Sequence, residues 1–400
     1  MMEVVKEINE VPIAGEYDVI VVGGGIAGIA SALAAKRNGC RVLLIEKTVF
    51  LGGLATAGFI AYFLPLCDGL GRKVSAGIAE ELLHLSIRYG YNTLPPEWLE
   101  GRGTGEKRYS TVFSPCEFVY ALDELVCAEG IELLFDTIFS RPLVEGDRCE
   151  AIIVETKSGR AGYKAKVFID ASGDADLFLR AGGRCAEEKN YLAYWYYRTD
   201  LDAMRRAIEK ENVMYGISLE WRGSFREDGS YTLGEKEYSG TDAREITRFV
   251  LEGRRLLREE ITRNRNNLGA LIALPSMAQY RRTRRIEGMY VLKEEDALRH
   301  FDDSIGCAAH WLKRGLVYEI PFRALVGPGL ANILAAGRIV SAKDDAWEVT
   351  RVIPACAVTG QAAGVAAAIA VRNGCRVQEI SIEDLQGRLE DSGVILHYGS

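Results

Sequence analysis

The first fifty residues alternate between short apolar runs and glycine-rich turns. Residues 17–22 are rich in β-branched side chains and predict a buried strand, which three glycines follow at 23–25. Residues 26–36 carry small and apolar side chains at helical spacing, and Gly39 predicts the end of that helix. A second buried strand is predicted over 41–45. Strand, tight turn, helix and strand within about 30 residues make a βαβ unit, which requires a parallel sheet.

The same patterns continue to residue 170 and return near the end of the chain. The strands predicted over 138–144 and 150–155 flank a short polar turn and therefore predict a hairpin. The other predicted elements are a helix over 116–128, strands over 131–135, 165–170 and 332–337, and a helix over 359–372. Strands that alternate with helices in this way predict an α/β fold.

The composition changes between about residues 187 and 319. Aromatic side chains crowd the first half, including 194–197, and the stretch 244–285 holds eleven arginines against four acidic residues. Apolar positions between 246 and 261 recur at helical spacing and predict a long amphipathic helix. We therefore predict an inserted α+β domain over 187–318, and a discontinuous first domain made of 1–186 and 319–400.

Composition and charge exclude several function classes. The 400 residues are 48% hydrophobic and 26% charged, and the net charge of −7 does not favour nucleic acid or an anionic membrane. Nine cysteines are scattered without a CxxC pair, so we expect no disulfide framework, zinc ribbon, iron–sulfur cluster or other metal site. The uncharged runs 19–35 and 352–371 are interrupted by glycine or dominated by alanine, and we expect no membrane span. The acidic first 18 residues are unlike a signal peptide, and we expect a cytoplasmic location.

Three glycines predict a phosphate-binding turn. Gly23, Gly25 and Gly28 match the GxGxxG pattern: the first permits a tight turn, the second lets a pyrophosphate approach, and the third lets helix and strand pack closely. Glu46 lies at the end of the next strand, where a carboxylate accepts hydrogen bonds from a ribose diol. A plain glycine turn is the alternative. The strand before the turn and the helix after it favour dinucleotide binding.

Later segments also permit close approach of a ligand. Gly52 and Gly53, with Thr56, form a small-residue loop soon after Glu46, although a simple turn is the alternative. Residues 170–174 and 336–338 each connect a predicted strand to a turn. We expect residues 360–364 to open a helix with almost no side chains, so that bare N–H groups and the positive end of the helix dipole face an anionic group.

Together these segments resemble the FAD-dependent oxidoreductase family. The resemblance runs from about residue 10 to the end of the chain and rests on 18–28, 46–47, 51–56, 169–174, 334–338, 351–354 and 360–364. More narrowly, the chain is similar to a bacterial branch of the glutathione-reductase-like flavoproteins, related in fold to fumarate reductase flavoprotein subunits. The resemblance implies a Rossmann-like, three-layer ββα FAD-binding domain that carries the inserted α+β domain as its substrate domain.

The resemblance also implies which residues hold the adenosine and the phosphates. The pyrophosphate is assigned to Gly23, Gly25 and Gly28, and the adenosine ribose to Glu46 with its neighbour Lys47. Phe139 is expected to contact the adenine through its backbone. The residues expected along the rest of the dinucleotide are Ser172, Gly173, Asp174, Gly337 and Arg338.

The flavin ring is assigned to two further segments. Gly52, Gly53 and Thr56 are expected beside it. Beneath its pyrimidine edge, where a helix N-terminus stabilises the negative charge of the reduced ring, the resemblance places Gln361, Ala362, Ala363 and Gly364. Cys67 is a candidate for a reactive thiol or a covalent tether, with a buried spectator thiol as the alternative. We expect the FAD to be bound non-covalently.

Two residues are candidates for catalysis. His310 lies where the chain returns from the insertion to the sheet and is our candidate for proton transfer, with a structural histidine as the alternative. Relatives often carry an aspartate where this chain has Ala308, so we expect His310 to lack an orienting carboxylate. Arg285 is our candidate for binding an anionic group, because guanidinium pairs with carboxylate in bidentate geometry. A solvated face or internal ion pairs are the alternative for 281–285.

The expected function is FAD-dependent hydride transfer between flavin N5 and a small organic substrate, by dehydrogenation or by alkene reduction. No second GxGxxG unit with its acidic residue is visible, so we expect a separate electron donor or acceptor. One alternative is an NAD-binding enzyme of the thiazole-forming type, and another is a non-catalytic flavin-binding protein. The sequence leaves the substrate and the oligomeric state open.

Overall fold

The predicted βαβ unit lies at the centre of a parallel sheet. The computed structural model describes residues 7–89, 109–223, 236–263 and 269–399. Within them β1 (Ile13–Val22) leads through the glycine turn into α1 (Ile26–Arg37), and β2 (Val42–Ile45) follows. β1 and β2 are parallel, with Val19 opposite Val42, as the sequence predicts.

The remaining elements follow in chain order. The strands are β3 (Tyr62–Phe63), β4 (Thr111–Val112), β5 (Glu132–Leu134), β6 (Ile138–Glu145), β7 (Arg148–Thr156), β8 (Gly159–Asp170), β9 (Cys185–Glu187), β10 (Lys189–Tyr191), β11 (Tyr194–Thr199), β12 (Ser218–Arg222), β13 (Glu237–Ser239), β14 (Ala270–Ala273), β15 (Arg284–Ile286), β16 (Ser304–Ala309), β17 (Val317–Pro321) and β18 (Ile333–Ala335). The helices are α2 (Ile78–Ser86), α3 (Pro115–Ala128), α4 (Asp176–Arg180), α5 (Leu201–Glu209), α6 (Ala243–Arg263), α7 (Asp344–Thr350), α8 (Ile353–Asn373) and α9 (Ile382–Asp391).

The main sheet has the strand order β5-β2-β1-β8-β7-β6, and β18 pairs with the end of β8. The strands β5, β2, β1, β8 and β18 are parallel. β6 and β7 form the predicted antiparallel hairpin, which continues into the first half of β8. The chain therefore leaves the parallel sheet after β8, forms the insertion, and returns to the sheet at β18, which pairs with β8.

Alternate residues of β1 face two separate cores. Val19 and Val21 pack into the cluster that contains α1 and α8, whereas Ile20 and Val22 pack into a second cluster with β7 and α4. A strand whose residues are buried on both faces reads as a continuous apolar run, which explains the pattern over 17–22. The layers are thus helices, parallel sheet and antiparallel strands, which confirms the predicted fold class.

α1 and α8 pack closely because small residues face each other. A Cβ on Gly360 would lie 2.3 Å from the carbonyl oxygen of Ala27, and a Cβ on Gly364 would lie 2.3 Å from that of Ser31. These glycines therefore serve helix packing. The expectation that residues 360–364 open this helix is wrong, because α8 begins at Ile353.

The insertion has its own small cores. β11 is the central strand of a sheet with β12 and β14, and the predicted amphipathic helix is α6. Phe249 of α6 packs with Leu192, Tyr238 and Tyr280. After this region Leu292, Phe301, Ile305 and Ala308 share the cluster of α1 and α8. The domain boundary at 318 stays a prediction, and the packing of the chain from 292 onward is with the first domain.

Among the described residues, α8 alone is long and apolar enough to cross a membrane by length and composition. Of its most apolar 18-residue window, 89% is buried inside the protein. The core helix of a water-soluble protein has the same properties.

Candidate FAD-binding site

A cavity of about 330 Å³, hereafter the main cavity, lies at the carboxyl ends of the parallel strands. Open α/β sheets bind their ligands at this edge. Most of the predicted cofactor residues line it, although they come from distant parts of the chain: Gly23, Gly25, Glu46, Lys47, Gly52, Gly53, Phe139, Ser172, Gly173, Asp174, Gly337 and Arg338. The fold therefore brings together segments that the sequence could only propose one by one.

The glycine turn has the shape that a phosphate group requires. Gly23 has a φ of +108°, and a Cβ there would lie 2.4 Å from the carbonyl oxygen of Ala171. Gly25 differs, because no atom lies within 4 Å of the place where its Cβ would stand. A side chain at Gly25 would project into open space at the start of α1, where backbone N–H groups attract an anion. The turn therefore fits the pyrophosphate of a dinucleotide.

Gly28 has a purely structural task. A Cβ on it would lie 1.8 Å from the carbonyl oxygen of Gly23, and Gly28 does not line the main cavity. It permits α1 to pack against the strand, which is the role expected of the third glycine.

Glu46 is held in position by three donors. One carboxylate oxygen accepts from the backbone N–H of Gly24 at 2.8 Å. The other accepts from the backbone N–H and the hydroxyl of Thr48, at 2.8 Å and 2.9 Å. The carboxylate is thus fixed at the end of β2, beside the glycine turn. The oxygen that accepts from Gly24 has only this one donor and retains acceptor capacity for a ribose hydroxyl.

The loop after β2 touches the glycine turn. The backbone N–H of Gly52 donates to the carbonyl oxygen of Gly24 at 2.9 Å, and Gly52 has a φ of +97°. Thr56 does not line the main cavity, because it lies behind Gly52: a Cβ on Gly52 would be 2.5 Å from the Thr56 methyl group. Thr56 instead hydrogen-bonds the carbonyl oxygen of Leu51 and shapes the loop.

An ion pair within the first domain, between Asp174 and Arg338, also binds two residues of the predicted insertion. Arg338 donates to the Asp174 carboxylate at 2.8 Å and also to the backbone carbonyls of Gly173 and Tyr280. Asp174 accepts a second hydrogen bond, from the hydroxyl of Thr283 at 2.6 Å. Asp174 and Arg338 therefore anchor the insertion at the wall of the main cavity.

Asp170 organises the turn after β8. Its carboxylate accepts from the backbone N–H and hydroxyl of Ser172, at 3.0 Å and 2.6 Å, and from the backbone N–H of Phe178 at 2.8 Å. The residue is completely buried, and this burial raises the pKa of Asp170 to about 6 against the opposing effect of the hydrogen bonds. Asp170 supports the turn 171–174, whose residues line the main cavity.

The start of α8 reaches the main cavity, but not at the predicted residues. Arg351, Ile353 and Cys356 line it, whereas Gln361, Ala362, Ala363 and Gly364 lie further along the helix, are buried and do not. The Gln361 side chain instead accepts from the backbone N–H of Ile78 at 2.9 Å and donates to the hydroxyl of Ser392 at 2.8 Å. Pro354 could have indicated the true start of α8 in the sequence, because proline favours the first turn of a helix.

His310 is oriented by a carboxylate from another part of the chain. Its Nε2 lies 3.1 Å from Asp345 of α7, so the expectation that His310 lacks such a partner is wrong. Its Nδ1 accepts from the backbone N–H groups of Leu312 and Lys313, at 3.0 Å and 3.1 Å. His310 does not line the main cavity. This geometry favours the structural alternative, and the catalytic role of His310 stays a prediction.

Two arginines flank the ring of Trp347, and a third is connected to them through a shared carboxylate. The guanidinium groups of Arg282 and Arg285 lie 5.9 Å and 5.6 Å from the Trp347 ring. Arg282 pairs with Glu348 at 3.2 Å, and Glu348 also pairs with Arg351. We call Arg282, Arg285 and Arg351 the arginine cluster. Arg351 is the member that lines the main cavity. The segment that begins at Arg351 contributes to the family resemblance, but the sequence alone predicts no role for this arginine, because it lies outside the arginine-rich stretch.

Two nitrogens of the arginine cluster are buried without a hydrogen-bond partner among the described residues. They are the Nε atoms of Arg285 and Arg351. Burial lowers the pKa of Arg285, although guanidinium remains charged at neutral pH. An unsatisfied, desolvated cationic donor favours an anionic ligand.

The remaining candidates lie away from the main cavity. Cys67 is completely buried and does not line it. Tyr194, one of the aromatic residues of the insertion, lines a second cavity of about 90 Å³ between α6 and residues 274–279. Met277 lines both cavities, so this segment separates them.

Comparisons with known proteins agree with the dinucleotide site. The family model for the FAD dependent oxidoreductases matches residues 18–192 and 187–389. The chain is 26% identical over 310 residues to the NADH:fumarate oxidoreductase of Klebsiella pneumoniae, covering 66% of this chain and 32% of that protein. It is 27% identical over 165 residues to the tRNA uridine 5-carboxymethylaminomethyl modification enzyme MnmG of Bacillus subtilis, covering 40% and 24%. The chain thus spans about a quarter of the second of these relatives and about a third of the first.

Several solved structures match almost the whole chain. One of them is the geranylgeranyl bacteriochlorophyll reductase-like protein from Thermoplasma acidophilum, with a TM-score of 0.48 and 14% identity, covering 94% of this chain and 83% of that one. The family match itself covers most of the sequence. The protein belongs to the FAD-dependent oxidoreductase family, and is therefore an oxidoreductase whose cofactor is FAD.

Proposed function

We propose that this oxidoreductase transfers a hydride between flavin N5 and a small organic substrate that carries a carboxylate or a similar anionic group. The observation that carries the proposal is the Arg351 side chain, which lines the main cavity with its Nε buried and without a hydrogen-bond partner among the described residues. Such a donor is costly to bury unless a ligand satisfies it.

The surroundings of Arg351 favour an anion. Its side chain is 11% exposed and shares Glu348 with Arg282, so one carboxylate faces two guanidinium groups. Burial would raise the pKa of Glu348, but the arginines outweigh that effect and lower it, which keeps the carboxylate charged. Arg282 also pairs with Glu188 at 3.3 Å, whereas Arg285, beside the same tryptophan, forms no ion pair within 4.0 Å among the described residues.

Some residues of the main cavity would bind the cofactor, and others would bind the substrate. Gly23 and Gly25 are suited to the pyrophosphate of FAD, because open space lies beside Gly25. Glu46, which is held by a backbone N–H of the same turn, is suited to the ribose. FAD, when bound, supplies a hydride acceptor or donor at N5. Arg351 would bind the anionic group and orient the substrate, and Arg285 would add to the positive charge of the arginine cluster. Non-covalent binding of FAD and the use of a separate electron donor or acceptor are parts of the same proposal.

Ligand titration of the FAD-loaded protein tests this proposal. Small mono- and dicarboxylic acids and the corresponding amides are added without oxygen, and the flavin absorption bands report binding. We expect carboxylates to shift the bands and amides not to. Arg351→Gln removes a hydrogen bond to a charged group worth about 1.5–3 kcal/mol, so the Kd for a responsive carboxylate should rise by about 10- to 100-fold.

The matched control is Arg248→Gln, since Arg248 is exposed on α6. This variant should bind the same acids with the wild-type Kd. Equal responses to acids and amides, or a wild-type Kd in Arg351→Gln, would show that the arginine cluster does not bind the substrate.

A further inference from the structure

We propose that His300, Glu319 and His397 form a binding site for a divalent transition-metal ion. The Nδ1/Nε2 and carboxylate atoms that these side chains offer all lie within 4.8 Å of one another. None of the three residues lines the main cavity, so the proposal does not rest on the proposed reaction. The sequence predicts no metal site, because the three positions are far apart in the chain and form no ligand motif.

The distances suit a small tetrahedral ion. Glu319 Oε2 lies 3.0 Å from His397 Nδ1 and 3.5 Å from His300 Nδ1, and the two imidazole rings are 4.5 Å apart. Bonds of about 2.0–2.1 Å to a tetrahedral Zn²⁺ place neighbouring ligand atoms roughly 3.3 Å apart. Small side-chain rotations would therefore bring the three atoms around one ion.

The carboxylate is already held in place. Glu319 projects from β17 with a side chain only 5% exposed. Its Oε2 accepts from the backbone N–H of Phe301 at 2.9 Å, and its Oε1 accepts from that of Tyr398 at 3.1 Å. Each donor adjoins one of the two histidines in the chain. These hydrogen bonds hold the backbone next to each histidine close to the carboxylate.

An exposed carboxylate lies on the outer side of one of the histidines. The Asp302 carboxylate lies 3.4 Å from His300 Nε2, while His300 Nδ1 faces Glu319. A metal-bound imidazole commonly gives its other N–H to a carboxylate, which fixes the tautomer and strengthens the ligand. Here the Asp302 carboxylate faces one nitrogen of His300, and the proposed metal would bind the other.

The exposure of the ligands leaves room for a fourth one. The His300 and His397 side chains are 62% and 28% exposed, so an ion can enter from solvent above the buried Glu319. Three protein ligands leave one position of a tetrahedral ion for water. Two imidazoles and one carboxylate suit zinc and its transition-metal neighbours rather than magnesium or calcium, which prefer oxygen ligands.

Zinc titration of the metal-free, FAD-loaded protein tests the proposal. Isothermal calorimetry with ZnCl₂ should show one equivalent bound per chain, and the bound ion should raise the melting temperature. His300→Gln and His397→Gln should each weaken binding at least tenfold. His300 is exposed, so its substitution leaves the fold intact.

His84→Gln is the matched control, because His84 lies outside the site and contacts the Tyr109 hydroxyl at 2.7 Å. It should bind zinc like the wild type. Cobalt(II) should give the visible bands of a tetrahedral site in the wild type and lose them in His300→Gln. The proposal is overturned if no zinc binds, if Mg²⁺ binds equally well, or if zinc binding is unchanged in both histidine variants.

Discussion

Replacing Gly25 by alanine should abolish tight FAD binding and leave the folded protein intact. Gly25 has a φ of −71° and a ψ of 179°, which alanine adopts without strain. No atom lies within 4 Å of the new Cβ. The methyl group therefore clashes with nothing in the protein and occupies the space proposed for the pyrophosphate.

Gly25→Ala should affect the stability of the FAD-free protein and the Kd for FAD in different ways. Because the unfolded chain loses conformational freedom, Gly25→Ala should leave the stability of the FAD-free protein unchanged or raise it by about 0.4–1 kcal/mol. The Kd for FAD should rise at least tenfold, which corresponds to about 1.4 kcal/mol. Gly28→Ala is the contrasting variant, since its Cβ would lie 1.8 Å from the Gly23 carbonyl oxygen. Forced overpacking of this kind costs about 1–3 kcal/mol or more.

Two measurements separate the outcomes. Thermal unfolding of the FAD-free proteins should give similar melting temperatures for wild type and Gly25→Ala and a lower one for Gly28→Ala. Titration with FAD should then raise the melting temperature of the wild type much more than that of Gly25→Ala, because a ligand at 100 times its Kd stabilises by about 2.7 kcal/mol. Wild-type FAD affinity in Gly25→Ala would refute the placement of the pyrophosphate at this turn.

The remaining predictions concern stability. The raised pKa of Asp170 means that the folded state holds this proton more tightly than the unfolded state, whose pKa is near 3.8. Stability should therefore fall by up to about 3 kcal/mol as the pH rises from 4 through 6, and urea titrations should show a flatter pH dependence in Asp170→Asn than in the wild type. Asp174→Ala should cost about 2–3 kcal/mol in the same assay, because Arg338, only 13% exposed, loses its carboxylate. Asp202→Ala, which breaks an exposed pair with Arg205, should cost less than about 1 kcal/mol, and equal losses in the two variants would contradict the role given to Asp174.

The sequence alone determined the dinucleotide-binding half of this protein. Gly23, Gly25, Gly28 and Glu46 lie within one βαβ unit, and local backbone geometry forces them into one arrangement. The hairpin of β6 and β7 was also predicted, since its strands are neighbours in the chain and joined by a short turn. The start of α8 was not, because an alanine-rich helix buried on all sides has no amphipathic pattern to mark its beginning.

Only the tertiary structure decided which distant side chains meet. Asp345 reaches His310, Arg351 joins the arginines of the insertion, and His397 approaches Glu319. These contacts depend on how β18 pairs with β8 after the insertion and on where the chain lies after α9. A pattern along the chain predicts which face of an element is buried, but it does not specify which side chain of another element will lie opposite. The phosphate-binding turn is therefore local and readable in the sequence, whereas the arginine cluster and the proposed metal site arise from packing.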